Sequence, residues 1–260
     1  MSLNFSELSI VVPAFLAGAL VLVTHVPLGM QILDRGIVFI DLALAQIAAL
    51  GVIAAALLGY DAQGLVTQLA AASAALAGAA LLTWTESRWP EVQEAQIGVL
   101  FVLAATGGIL LLANDPHGGE SLRDLLAGQI LWVRYGQLIV PALGTAAIAA
   151  LLLVHRAPLP PWLFYSVFAL AVTASVQLVG VYLVFASLIV PGLATRRYPR
   201  FRLAAAYLVG LCGYAIGLVL STLYDLPSGA LVVWCMAGSA ILAFAFGPKP
   251  GGNPGAVRHG

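Results

Sequence analysis

The sequence predicts an all-α, polytopic membrane helical bundle with about eight or nine passages, some of them short or broken. Three observations predict it. Hydrophobic residues make up 62% of the chain and charged residues only 8%, where soluble domains carry about 25% charged residues. The apolar residues fall in runs close to the roughly 20 that a helix needs to cross a bilayer. Those runs are solidly apolar, without the in–out alternation of a membrane barrel, and a helix satisfies its own backbone groups in lipid. The net charge is zero, which argues against a nucleic-acid partner.

The candidate crossings, in order, are 8–26, 36–59, 65–84, 96–113, 137–155, 201–223 and 229–247. The leading "MSLNFSELSI" lacks a basic n-region, so the first apolar run is expected to stay in the protein rather than act as a cleaved signal. The second run carries one carboxylate, Asp41, and one amide, Gln46, in an otherwise apolar stretch. The third is dense in small residues, and Ala70, Ala74 and Gly78 share a face that permits close helix contact. Between the fourth and fifth runs, "NDPHGGESLRDLLAGQILWVRYG" reads as a short helix at or dipping into the outer surface.

Residues 162–195 form an apolar run of 34 residues. As a single helix it would be about 50 Å long, too long for a hydrocarbon core of about 30 Å. A turn near Gly180 resolves this. With that turn, Arg35, Arg88, Arg156, Arg196, Arg197, Arg200, Arg202, Lys249 and Arg258 fall on one side, and only Arg123 and Arg134 on the other. That bias marks the first side as cytoplasmic, with the N-terminus outside and the C-terminus inside. Residues 1–247 are expected to form a single transmembrane domain, and the Gly/Pro-rich 248–260 a disordered cytoplasmic tail.

Several chemistries have no motif here. There is no GxxxxGK[ST] phosphate loop, no HExxH and no GxSxG. His25, His117, His155 and His259 are scattered, and Cys212 and Cys235 sit in apolar runs as buried free thiols. The chain therefore reads as a protein that moves or holds something, not as an enzyme.

The polar punctuation of the runs carries a resemblance. "DRGIVFIDLALAQIAALGVIAAALLG" (34–59), "QEAQIGVLFVLAATGGILLL" (93–112), "LRDLLAGQILWV" (122–133), "SVQLVGVYLVFASLIVPGLATR" (175–196) and "STLYDLPSGALVV" (221–233) follow one another in the chain. In this order they resemble the signature blocks of the zinc/manganese/iron ABC-importer permeases. The resemblance covers roughly residues 14–247 and implies a membrane permease subunit. Two copies would form a path across a bacterial inner membrane. A periplasmic metal-binding protein would deliver a divalent metal ion, and a cytoplasmic ABC ATPase would drive opening. No permanently bound cofactor is implied; the metal is cargo.

Two departures qualify it. In that family the Asp and His of G-D-A-L-x-H lie four apart on one helix face; the matching positions here are Leu42 and Gln46, and the acid stands one residue earlier, at Asp41. Asp41 and Gln46 are about 140° apart around a helix and would not converge on one ion. Candidate ligands are Asp41, Gln46 and His25. Candidate path residues are Asp41, Gln46, Glu94, Ser175 and Gln177. Asp41 either lines the path or is satisfied by a neighbouring helix, and Glu94 also suits a helix first turn. The family's long cytoplasmic docking loop between its fifth and sixth segments is replaced by "VHRAPLPPWLFY" (154–165). An ATPase would then dock elsewhere, with Arg196, Arg197, Arg200 and Arg202 of "RRYPRFR" as the candidate surface or as plain membrane anchors. If coupling has been lost, the chain is an ATP-independent facilitator or assembly subunit of the same fold.

Overall fold

The structure, a computed structural model, describes residues 5–61, 64–115, 119, 128, 130–155 and 159–248. Among them it holds nine α-helices and no strand: α1 (Phe5–Arg35), α2 (Ile40–Leu57), α3 (Leu65–Arg88), α4 (Gln93–Leu111), α5 (Tyr135–Val154), α6 (Pro161–Val179), α7 (Val181–Ala194), α8 (Arg202–Tyr224) and α9 (Ser228–Phe246). Eight are long and apolar enough to cross a membrane, and α7 is shorter. The all-α polytopic bundle read from the sequence is the observed fold. The tail beyond Pro248 and most of the surface helix expected in the 114–135 loop lie outside the described residues.

The break in the long apolar run is where the sequence placed it. Helix α6 ends at Gly180, whose φ of 84° and ψ of 161° belong to a region open essentially only to glycine. The contacts of α1 show that the chain reverses there. Near the end of α1, Arg35 donates to the Leu159 carbonyl and stacks on Phe164, at the start of α6. Gly29, Met30 and Leu33 meet Leu188 and Gly192, at the end of α7. Both ends of the 161–194 hairpin therefore lie at the Arg35 end. At its turn, Gly128 packs directly on the backbone of Val179 and Gly180.

This arrangement sorts the charges. Gln93 bonds Tyr165 and Thr85, which places the end of α3, and hence Arg88, at the Arg35 end. Arg197 stacks on Phe244, and the Tyr198 hydroxyl donates to the Ala243 carbonyl at 2.8 Å, so Arg196, Arg197, Arg200 and Arg202 are there too. Arg134, just after the turn Ile130–Trp132, is at the other end. Arg123, Arg156, Lys249 and Arg258 lie outside the described residues.

The orientation is directly testable. On a background without Cys212 and Cys235, single cysteines at the exposed Trp89 and Phe201 should react with an impermeant maleimide from one side only. Cysteines at the exposed Tyr60 and Tyr224 should react from the opposite side. Reaction of Trp89 and Tyr60 positions from the same side would refute the topology.

Boundaries moved where local chemistry misled. Helix α1 runs through Pro13 and Pro27 to Arg35, past the expected end at residue 26. A proline within a membrane helix is tolerated when neighbours satisfy the freed backbone groups. The small-residue face of α3 is rotated by one residue: Ala71, Ala75, Gly78 and Ala79 are the buried positions. Close approach is still its role, since Gly51 of α2 lies on the Ala70 carbonyl and Gly78 lies on Ile47.

Candidate functional site

The singled-out residues occupy separate environments. Asp41 lies in the first turn of α2. It is 1% exposed, faces the bundle and not lipid, and its Oδ1 has no hydrogen-bond partner among the described residues. Gln46 is also buried, but it faces elsewhere. With Leu42 it forms one wall of a cavity of about 650 Å³ bounded by α2, α4, α7 and α9. Asp41 is not on that wall, as the 140° between the two side chains requires. The positions four apart on the cavity face are Leu42 and Gln46.

That cavity is apolar. Phe101, Val181, Phe185, Val190 and Val233 make much of its wall, and none of its lining residues is a carboxylate, histidine or cysteine. Gln46, Tyr182 and Trp234 supply its side-chain polar atoms. Such a wall offers a divalent cation one amide oxygen and a phenol, far short of the several N, O or S ligands these ions take.

His25 is fully buried within α1; its Nδ1 sits 3.1 Å from Thr24 Oγ1 and its Nε2 has no partner. It lies roughly 15 Å along the helix from Arg35, deeper than Asp41. The structure does not gather Asp41, Gln46 and His25 about one point. Among the described residues no group of three or more His, Cys, Asp or Glu could hold a metal ion.

Glu94 stands in the first turn of α4 and accepts a hydrogen bond from the Phe39 backbone N–H at 3.3 Å, joining α4 to the start of α2. Its second oxygen is buried without a partner. Ser175 and Gln177 lie on α6 near the Gly180 turn; Ser175 is buried, and Gln177 leaves its amide nitrogen unpartnered. Neither lines the large cavity.

The structure adds a polar knot that the separate runs did not reveal. Gln93 Nε2 donates to the Tyr165 hydroxyl and to the Leu82 carbonyl, each at 3.1 Å, and Thr85 Oγ1 donates to Gln93 Oε1 at 3.2 Å. This ties α3, α4 and α6 together at the arginine-bearing end. A second pair, Ser187 and Tyr214, joins α7 to α8 at 2.9 Å in the core. The one available signal was that Tyr165, Ser187 and Tyr214 interrupt apolar runs; Thr85 and Gln93 stand between runs and gave none.

The four arginines of "RRYPRFR" lie together. Arg196, Arg197 and Arg200 lie at the surface, and Arg202 is partly buried. Phe201 between them takes φ 58°, a left-handed conformation uncommon for a bulky residue, and is 76% exposed. The connection from α5 to α6 holds only residues 155–160. Its Leu159 is buried and its carbonyl accepts a hydrogen bond from Arg35, which ties the start of α6 to the end of α1.

A comparison with known families matches this chain to the ABC 3 transport family over residues 7–164 and 158–247. The chain belongs to the ABC 3 transport family. It is a multi-pass membrane protein of that family, and its two matched pieces overlap over residues 158–164, at the start of α6. The manganese transport system membrane protein MntC of Halalkalibacterium halodurans is 30% identical over 182 residues, covering 61% of this chain and 62% of that protein. The chain thus matches somewhat under two thirds of that relative's length. The high-affinity zinc uptake system membrane protein ZnuB of Haemophilus influenzae is 22% identical over 256 residues, covering 90% of this chain and 96% of that protein. Among solved structures, PsaBC from Streptococcus pneumoniae in complex with Fab shares the fold, with a TM-score of 0.73 and 21% identity over 95% of this chain and 94% of that one.

Proposed function

We propose that this chain is the membrane-spanning permease subunit of an ATP-driven importer for a divalent transition metal ion, of the zinc, manganese and iron class. The observation that carries the reading is the family match, which extends across the membrane bundle from residue 7 to residue 247. The manganese and zinc systems named for MntC and ZnuB support the cargo class. ATP hydrolysis belongs on a separate cytoplasmic subunit, since this chain has no phosphate loop. A second copy of the chain and a periplasmic metal-binding protein complete the assembly in a bacterial inner membrane. Residues 1–247 act as one permease domain with 248–260 as its tail. Asp41, Gln46, Glu94, Ser175 and Gln177 are the candidate path residues, of which Gln46 lines the large cavity, and Asp41, Gln46 and His25 are the candidate ligands. Arg196, Arg197, Arg200 and Arg202 offer the surface for the ATPase.

A second reading has an observation of its own. The short α5–α6 connection held by Arg35 favours a subunit that works without ATP, as a facilitator or an assembly component. Metal accumulation in cells with and without this chain, repeated with the partner ATPase inactivated, separates the two. Uptake that needs both proteins supports the importer; uptake that survives loss of the ATPase supports the second reading. No dependence of accumulation on this chain would overturn both.

A further inference from the structure

A second groove, of about 310 Å³, lies between the C-terminal ends of α7 and α9, with Arg196 among its lining residues. Its walls are apolar: Val190, Leu193 and Ala194 from α7, and Ala240, Ile241 and Phe244 from α9. We propose that this groove binds one anionic phospholipid. The acyl chain lies along Leu193 and Ile241, and the phosphate is held by Arg196 and Arg197.

Charge complementarity selects this occupant. Arg197 is positioned beside the groove, its guanidinium 4.1 Å over the ring of Phe244, which itself lines the wall. The loop after α7 is fixed to α9 by the bond from the Tyr198 hydroxyl to the Ala243 carbonyl, so both cations stay at the groove's end. Nothing acidic on these elements competes for them. After Asp124 the only carboxylate side chain in the sequence is Asp225, at the far end of α8, roughly 34 Å along that helix. Asp34 stands at the end of α1, where its neighbour Leu33 packs on Gly192, and among the described residues it forms no ion pair with Arg196 or Arg197.

Arginines without an acidic partner among the described residues, fixed at the end of an apolar groove between membrane helices, match a headgroup phosphate with hydrocarbon below it. Neither a soluble protein segment nor a bare anion uses both halves. Leu193 and Ile241 are 46% and 68% exposed, so lipid reaches the groove sideways from the bilayer. The inference does not depend on the cargo; it takes Arg196 and Arg197 for the lipid and leaves Arg200 and Arg202 as the candidate ATPase surface.

Native mass spectrometry of the full chain in detergent tests it, using phosphatidylglycerol and phosphatidylcholine of identical acyl chains. Phosphatidylglycerol should be retained preferentially. Arg196→Gln and Arg197→Gln should each lower its retention about fivefold, and Arg88→Gln, an exposed arginine at the same end outside the groove, should leave it unchanged. Ile241→Trp should lower retention by filling the groove, with Ala240→Leu as an alternative filler if the first misfolds by circular dichroism. Equal retention of the two lipids, or equal loss in Arg88→Gln, would reduce the effect to general surface charge and overturn the proposal. Displacement by millimolar inorganic phosphate would overturn it in favour of a soluble anion. Unchanged lipid with loss of a co-purifying ATPase in the Arg196 and Arg197 variants would assign these arginines to protein docking instead.

Discussion

Gly128→Ala is expected to destabilise the protein by about 2–5 kcal/mol, as read by thermal unfolding in detergent. Two costs combine there. The residue has φ +69°, which costs a non-glycine residue roughly 1–2 kcal/mol. A Cβ would also collide with the Val179 carbonyl and stand 2.6 Å from the Gly180 nitrogen. Both are backbone groups at the hairpin turn, so no side chain can swing aside, and overpacking of this kind adds about 1–3 kcal/mol. Two other glycines separate backbone strain from crowding. Gly36 has φ +73° with open space around its Cβ position, and Gly98 is helical with nothing within 4 Å. Gly36→Ala should therefore cost only the backbone share, about 1–2 kcal/mol, and Gly98→Ala should be neutral or slightly stabilising through helix propensity. If Gly128→Ala melts with Gly36→Ala, the close seating of Gly128 on the Gly180 turn is wrong.

Asp41→Leu should make the protein more stable while abolishing metal uptake. The side chain is 1% exposed and one carboxylate oxygen has no partner. A buried unsatisfied polar atom costs about 1–3 kcal/mol, whereas the favourable placement of an acid in a helix first turn contributes about 0.3–1 kcal/mol. Leucine removes the burial cost, which exceeds the helix-end benefit lost with it, so a gain of about 1–2 kcal/mol is expected. Intramembrane acids that face a bundle interior mark ion or proton routes, so uptake should fall by at least about tenfold even in the near-isosteric Asp41→Asn. The two readouts together are decisive. Normal uptake by a stably expressed Asp41→Asn variant, with Asp41→Leu destabilised, would make the residue a structural element and leave Gln46 as the polar side chain of α2 on the candidate path.

The sequence by itself determined the class and the local events. Apolar runs of bilayer length announce helices, because lipid leaves no other way to satisfy a backbone outside a closed barrel. The 34-residue run had to break, and glycine at position 180 was the residue able to take the conformation the turn requires. The angular separation of Asp41 and Gln46 followed from five residues of helix, and the structure keeps them on different faces. The ends of helices were less legible: Pro27 reads as a stop in isolation, and only its neighbours let α1 continue to Arg35.

Tertiary structure alone decided which faces are inside. Helices α5 and α6 are similarly apolar and adjacent in the chain. Yet α5 has no buried residue, and α6 buries Phe164, Tyr165, Phe168 and most of its length. The one-residue rotation of the α3 stripe and the meeting of Gln93 with Tyr165, 72 positions apart in sequence, were equally hidden. In a soluble protein the buried face is the apolar one. In a membrane the lipid is as apolar as the core, so hydropathy carries no signal separating the two, and only close packing and the pairing of scarce polar groups choose the inward face.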